Sequence, residues 1–158
     1  MATLTLSQQH FQAMITHAEQ TYPHECCGLM MGQIHENGDK KLVELIPTEN
    51  DWNAETSKNL EVIEALQKTV MTTEHYFTIS PQEMLKAQKE GRDRNLVIIG
   101  IYHSHPDHPA LPSEFDRIYA WSGYSYVIIS VEKGKATDLQ NWSLDDDQQF
   151  QPEELIRI

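Results

Sequence analysis

Two histidines stand two apart in His103-Ser104-His105, at the end of an apolar run that begins at Leu96. Alternate side chains of an extended strand share a face, so both imidazoles converge on one point. Asp116 follows, on the first turn of the next predicted helix. Two imidazoles and one carboxylate leave a fourth tetrahedral position open. That is the ligand set of a catalytic zinc, whose fourth position takes a water. Plainer readings stand beside this one. An isolated H-x-H pair is more often two ordinary histidines than a metal site. Ser113-x-x-Asp116 is also the pattern of a helix capping box. A carboxylate there is favoured by the helix dipole whether or not it holds a metal, so the two readings of Asp116 are compatible.

The elements that would position these residues alternate between helix and strand. Ser7 caps a helix whose Phe11, Met14, Ile15 and Ala18 fall at helical spacing, with Pro23 just past its end. Gly28 to Ile34 reads as a buried strand, Asn37-Gly38 as a hairpin turn, and Lys41 to Pro47 as the partner strand. Asn59 to Val70 carries Leu60, Ile63, Leu66 and Val70 at helical spacing, with Glu64 and Lys68 as a favourable i,i+4 pair. Tyr76 to Ile79 is extended. Ser80-Pro81-Gln82-Glu83 opens a helix as N-cap, N1 proline and capping box, and Gly91 marks its end.

Leu96 to His103 reads as a buried strand, Ser104 to Pro112 as a proline-rich loop, and Ser113 to Trp121 as a short helix. Tyr124 to Val131 and Thr137 to Trp142 are strands joined at Lys133-Gly134, and Phe150 to Ile158 is a terminal segment. Mixed strands, hairpins and helices suggest an α/β or α+β sandwich with a mixed sheet.

Composition excludes several classes. The 158 residues suit one domain, spanning residues 1–158. Lys plus Arg number 12 and Asp plus Glu 24, a net charge of −12. That argues against a nucleic-acid partner, which needs a basic face, and against docking on anionic lipid. Hydrophobic residues at 39% and charged residues at 23% fit a globular chain. No apolar run approaches the ~20 residues of a membrane span, and Met1 to Leu6 is too short for a signal h-region. The only cysteines, Cys26 and Cys27, are adjacent, so no disulfide framework is expected. A cytoplasmic location follows from these signs. The lone basic cluster, Lys86, Lys89, Arg92 and Arg94, reads as a solvated helix end.

The whole string is more specific than its parts. His103-Ser104-His105 is followed by residues 106–112, then Ser113 and Asp116. Upstream stands Glu25, in Pro23-His24-Glu25-Cys26-Cys27-Gly28. This resembles the JAMM motif, E … H-[S/T]-H-x7-S-x-x-D, of the MPN+ metalloprotease family. Ile98 to Tyr102, Pro112 and Phe77 to Glu83 share the likeness, which covers roughly residues 8–131.

The resemblance implies a single-domain α/β MPN fold, a mixed central sheet flanked by helices in cytidine-deaminase-like layering. It implies one catalytic Zn²⁺ on His103, His105 and Asp116, with Glu25 as general acid/base and Ser113 helping to hold the oxyanion. The implied substrate is a ubiquitin-like or sulfur-carrier protein, cut at the amide or isopeptide bond after its C-terminal Gly-Gly. Small prokaryotic members are the nearest type. An extended tail of this kind could add a strand to an exposed sheet edge. A non-catalytic MPN-type scaffold or binding module is the alternative. Cys27 stands where the family pattern has a cysteine and reads, with Cys26, as a small buried hydrophobe. His24 and His108 read as exposed loop histidines.

Overall fold

The computed structural model describes residues 2–52 and 76–158. Eight strands and three helices follow in chain order: β1 (Thr3–Leu6), α1 (Gln8–Thr21), β2 (Cys27–Ile34), β3 (Lys40–Thr48), α2 (Pro81–Arg92), β4 (Val97–Pro106), α3 (Glu114–Tyr119), β5 (Ser125–Glu132), β6 (Lys135–Leu144), β7 (Phe150–Pro152) and β8 (Glu154–Arg157). The helix expected over Asn59 to Val70 lies outside the described residues.

The strands form one mixed sheet in the order β7-β6-β5-β4-β2-β3-β1-β8. The pairs β4/β5, β1/β3 and β1/β8 are parallel; the other four pairs are antiparallel. Helices cover both faces. On one face α1 lays Met14 and Ala18 against Leu4, Tyr102, Val127 and Ile129. On the other, Ala87 of α2 meets Leu29, Met31 and Ile98. Strand alternation puts Tyr102 toward α1 and Ile101 toward α2. His103 and His105 follow Ile101 onto the α2 side.

Gly28 has a specific cause. A Cβ built there would lie 2.3 Å from Cε1 of the ring of Tyr102, its partner on β4, so glycine leaves room for that buried ring. The Tyr102 hydroxyl lies 2.9 Å from Nδ1 of His17 on α1.

The structure departs from the sequence reading in three places. β4 continues through Ser104 to Pro106, where a loop was expected, because Ser104, His105 and Pro106 pair with Ile129, Ser130 and Val131 of β5. Pro106 is the last residue of the strand, a position where its missing N–H costs little. The capping box on α2 is half made: Ser80 Oγ accepts from the Glu83 N–H at 3.2 Å, without the reciprocal bond from the Glu83 side chain. The third departure is at the termini. The N-terminal residues form β1, and the terminal segment forms two strands separated by Glu153 alone.

That single residue closes the architecture. β7 pairs with β6 and β8 with β1, at opposite edges of the sheet. The chain steps from one edge to the other across Glu153, so the sheet must curl until its edges meet. Glu153 is buried and ionic, and it is held from several sides. Lys40 Nζ lies 3.2 Å from Oε2, and Asn141 Nδ2 donates at 2.9 Å to Oε1, which also accepts from the Ser125 hydroxyl. The composition and spacing of the sequence carry no sign of this pair.

Candidate metal centre

His103 and His105 leave β4 on the same face, as strand alternation requires. Both are buried, with exposures of 1% and 2%. Their Nε2 atoms stand 3.1 Å apart. Asp116 bridges them: Oδ1 lies 3.2 Å from Nε2 of His103, and Oδ2 lies 3.2 Å from Nε2 of His105. The Glu25 carboxylate comes in from the segment just before β2. One of its oxygens and the two imidazole nitrogens lie within 4.8 Å of one another.

Asp116 is held by α3. Ser113 is the N-cap; its Oγ accepts from the Asp116 N–H at 3.0 Å, and its own N–H donates to Asp116 Oδ2 at 2.9 Å. The capping box of the sequence reading therefore exists, and it aims the carboxylate at the imidazoles. Both readings of Ser113-x-x-Asp116 describe one arrangement.

The donor set fits a zinc ion. The Pro109 carbonyl, 2.8 Å from His105 Nδ1, can only accept, so that nitrogen carries the proton. In the neutral ring Nε2 is then a bare lone pair. It faces a second imidazole and a carboxylate oxygen, and His103 can supply at most one proton among the three contacts. A cation among these donors removes the conflict. The two Nε2 atoms, 3.1 Å apart, each have an Asp116 oxygen at 3.2 Å, close enough together for one small cation to take all three side chains as ligands.

The local electrostatics suit this assignment. Burial pushes the Asp116 carboxyl up, but His103, and then His105, outweigh it and hold it well below the usual carboxylate range. Burial lowers the His103 imidazole below the ordinary histidine value, against the opposing pull of Asp116. Metal ligation favours an ionised carboxylate and neutral imidazoles. Glu25 behaves oppositely. Burial, reinforced by the nearby Asp116 charge, raises its carboxyl well above the ordinary value. A carboxyl so raised binds a proton more readily than an ordinary glutamate and can pass it on.

Aromatic rings flank the two imidazoles. Phe77 stacks on His103 with centroids 4.4 Å apart and planes 25° apart. His108 stacks on His105 at 4.1 Å and 19°. His108 is thus half-buried against a candidate ligand, not a plain exposed loop histidine, while His24 is exposed. Ser104 faces away from the centre, where its Oγ accepts from the Cys26 N–H at 2.8 Å. It ties β4 to the strand entry beside Glu25. Cys26 and Cys27 are free and buried, and burial pushes both thiols up to about 12. They are inert small hydrophobes under ordinary conditions.

Beside the centre lies a groove of about 490 Å³ that shares His103 and Asp116 with it. Its other walls include Phe77, Leu85, Ile101, Trp121 and Tyr124. β4 is paired on both sides, by β2 and β5. The edges of the described sheet are β7 and β8, about three and four strand spacings away, or ~14 and ~19 Å. Strand addition at the centre therefore has no open edge among the described strands.

Residues 7–145 match the family model for prokaryotic homologs of the JAB domain. The chain belongs to that family, the small prokaryotic JAMM/MPN group. The match takes in every residue of the candidate centre. Among relatives of this JAB-domain chain, the CysO-cysteine peptidase of Mycobacterium tuberculosis is 26% identical over 135 residues, 85% of this chain and 77% of that protein. The desampylase of Pyrococcus furiosus is 48% identical over 40 residues, 25% of this chain and 29% of the desampylase. The chain thus aligns with under a third of the desampylase. The solution structure of a protein from Desulfitobacterium hafniense superposes with a TM-score of 0.76 at 28% identity, over 99% of this chain and 93% of that one. A JAB1/MPN domain protein from Archaeoglobus fulgidus shares the fold, with a TM-score of 0.53 at 13% identity over 99% of both chains. The mixed α/β MPN fold expected from the sequence is the fold observed. Among the described residues of the JAB-domain chain, no helix is long and apolar enough to cross a membrane.

Proposed function

We propose that the chain is a zinc-dependent peptidase that hydrolyses the amide or isopeptide bond after the C-terminal Gly-Gly of a ubiquitin-like or sulfur-carrier protein. The observation that carries the reading is the arrangement of two Nε2 atoms and one carboxylate, 3.1–3.2 Å between neighbours, with a buried second carboxylate beside it. Family membership and the names of the two peptidase relatives support the reaction and substrate class.

His103, His105 and Asp116 would hold the zinc. When bound, zinc lowers the pKa of water toward ~7 and polarises a carbonyl, supplying nucleophile and electrophilic assistance at neutral pH. Glu25 takes the proton of the attacking water and later gives it to the leaving amine, which is too basic to depart as an anion. The Ser113 hydroxyl accepts from the Asp116 N–H and so keeps its own proton to donate to the oxyanion. The apolar groove excludes water beside the centre and receives the substrate tail by side-chain contact. Two glycines ahead of the bond let the backbone approach ligands this deeply buried.

The test has two readouts. The purified chain should contain or take up one zinc per molecule, measured by elemental analysis. It should also release a Gly-Gly terminus from carrier proteins bearing C-terminal extensions, read by mass spectrometry. A chain that takes up no zinc and cuts none of them is instead the non-catalytic module.

A further inference from the structure

We infer that Asn50 is a positioning residue for the centre, setting the backbone of Glu25 and, through Phe77, the ring of His103. This rests on the zinc-peptidase reading above and adds a residue to it. A carboxamide has two N–H donors and an oxygen with two lone pairs. All four are used here. Nδ2 donates to the Glu25 carbonyl at 3.1 Å and to the Tyr76 carbonyl at 2.8 Å. Oδ1 accepts from the Trp52 N–H at 3.1 Å and the Thr78 N–H at 3.2 Å. The Asp51 N–H adds a 2.8 Å bond to the Thr78 carbonyl.

Each contact bears on a different part of the centre. The Glu25 carbonyl is the backbone of the proposed acid/base itself. Tyr76 and Thr78 bracket Phe77, so clasping both fixes the residue whose ring stacks on His103. That stack matters because His103 lacks the usual support. A zinc-binding imidazole normally donates its second N–H to an acceptor that fixes its orientation. His105 has the Pro109 carbonyl, but His103 Nδ1 is buried with no hydrogen-bond partner among the described residues. Phe77 takes that orienting role by ring stacking, and Asn50 holds Phe77 in place.

Asn50→Asp tests this with little change of shape. It keeps the two accepting contacts and turns the two donors into an oxygen facing two carbonyls. Zinc affinity is measured by chelator competition, the visible spectrum of the cobalt-substituted protein reports ligand geometry, and kcat and KM are read on a Gly-Gly-extended carrier. All are taken at a temperature where circular dichroism shows the variant folded. We expect zinc affinity to weaken about 10-fold or more, the cobalt bands to shift, and kcat to fall about 10–100-fold with KM within about twofold. Phe77→Leu, which removes only the stack, should weaken zinc binding and shift the cobalt bands as well. Wild-type zinc affinity and cobalt spectrum in either variant overturn the inference. If Asn50→Asp does not fold, Asn50→Ser and Phe77→Leu decide it by the same measurements. A wild-type chain that binds zinc but cuts nothing defeats the substrate reading alone, since the zinc measurements still decide the role of Asn50. A wild-type chain that binds no zinc overturns both.

Discussion

Replacing Glu25 by Gln separates the metal site from the proton carrier. The side chain is 2% exposed, and the change keeps its shape while removing its charge and its transferable proton. His103, His105 and Asp116 are untouched, so zinc should still bind in a one-to-one ratio. Hydrolysis should fall. A positioned acid/base typically contributes 10²–10⁴-fold, and each factor of ten is about 1.36 kcal/mol, so the loss in kcat should correspond to about 2.7–5.4 kcal/mol of barrier. Stability should move the other way. Burial, and then repulsion by Asp116, raise the Glu25 carboxyl in the folded chain. A group whose folded pKa is raised contributes stability that is complete below its unfolded pKa, about 4.5. That contribution is lost as pH rises through the folded value. Metal-free wild type should therefore lose stability as pH rises above about 4.5, and metal-free Glu25→Gln should lack that slope. The assays are zinc stoichiometry, single-substrate kinetics and urea unfolding of the metal-free proteins at pH 5 and 8. Full activity in Glu25→Gln would refute the assignment of the acid/base. Loss of zinc would show that Glu25 is itself a ligand.

Other changes have equally specific outcomes. His105→Ala should abolish both zinc uptake and hydrolysis, measured by elemental analysis and mass spectrometry; retained stoichiometric zinc would remove His105 from the ligand set. Lys40→Met strands the Glu153 carboxylate in the interior and should cost about 3–5 kcal/mol in urea unfolding. Adding Glu153→Gln should recover much of that loss, and a Lys40→Met cost below about 1 kcal/mol would mean the pair is hydrated. Gly28→Ala places a methyl 2.3 Å from the Tyr102 ring and should cost about 1–3 kcal/mol, visible as a lowered Tm. An unchanged Tm would mean the Tyr102 ring has room to shift.

The fold and the centre were legible to different depths. Local periodicity and caps placed α1, α2, α3 and the central strands β2 to β6 close to where they lie, because those signals are carried within a few residues. The two imidazoles were legible as a pair because β4 alternation is a short-range rule. Asp116 was legible as a cap and, from its place just after the histidine pair, as a candidate third ligand, but no local rule brings α3 back over β4. The curl of the sheet was not legible. It follows from β7 and β8 pairing at opposite edges on either side of Glu153, which meets Lys40, 113 residues away, and an acid in an acidic chain signals nothing by itself. Asn50 and Phe77 were equally silent as supports. An asparagine after a strand reads as a turn former, and a phenylalanine in an extended stretch reads as core. Their roles exist only once residues 50–52 and 76–78 lie side by side.

The two acids of the centre show why the motif alone does not fix their roles. Both are carboxylates, both are nearly fully buried, and the Asp116 charge adds to the cost of ionising Glu25. What separates them is what each accepts. Asp116 takes the Ser113 N–H and faces two imidazoles, so its negative charge is matched and it stays ionised. Glu25 sits beside that charge in a dry pocket and retains its proton more readily. Environments that drive two carboxyls apart in proton affinity divide labour between them. The one that gives up its proton most easily is the better ligand, and the one that holds it is the better carrier. Exchanging the two acids by sequence would not exchange their roles, because the cap on α3 and the dry segment ahead of β2 would remain where they are.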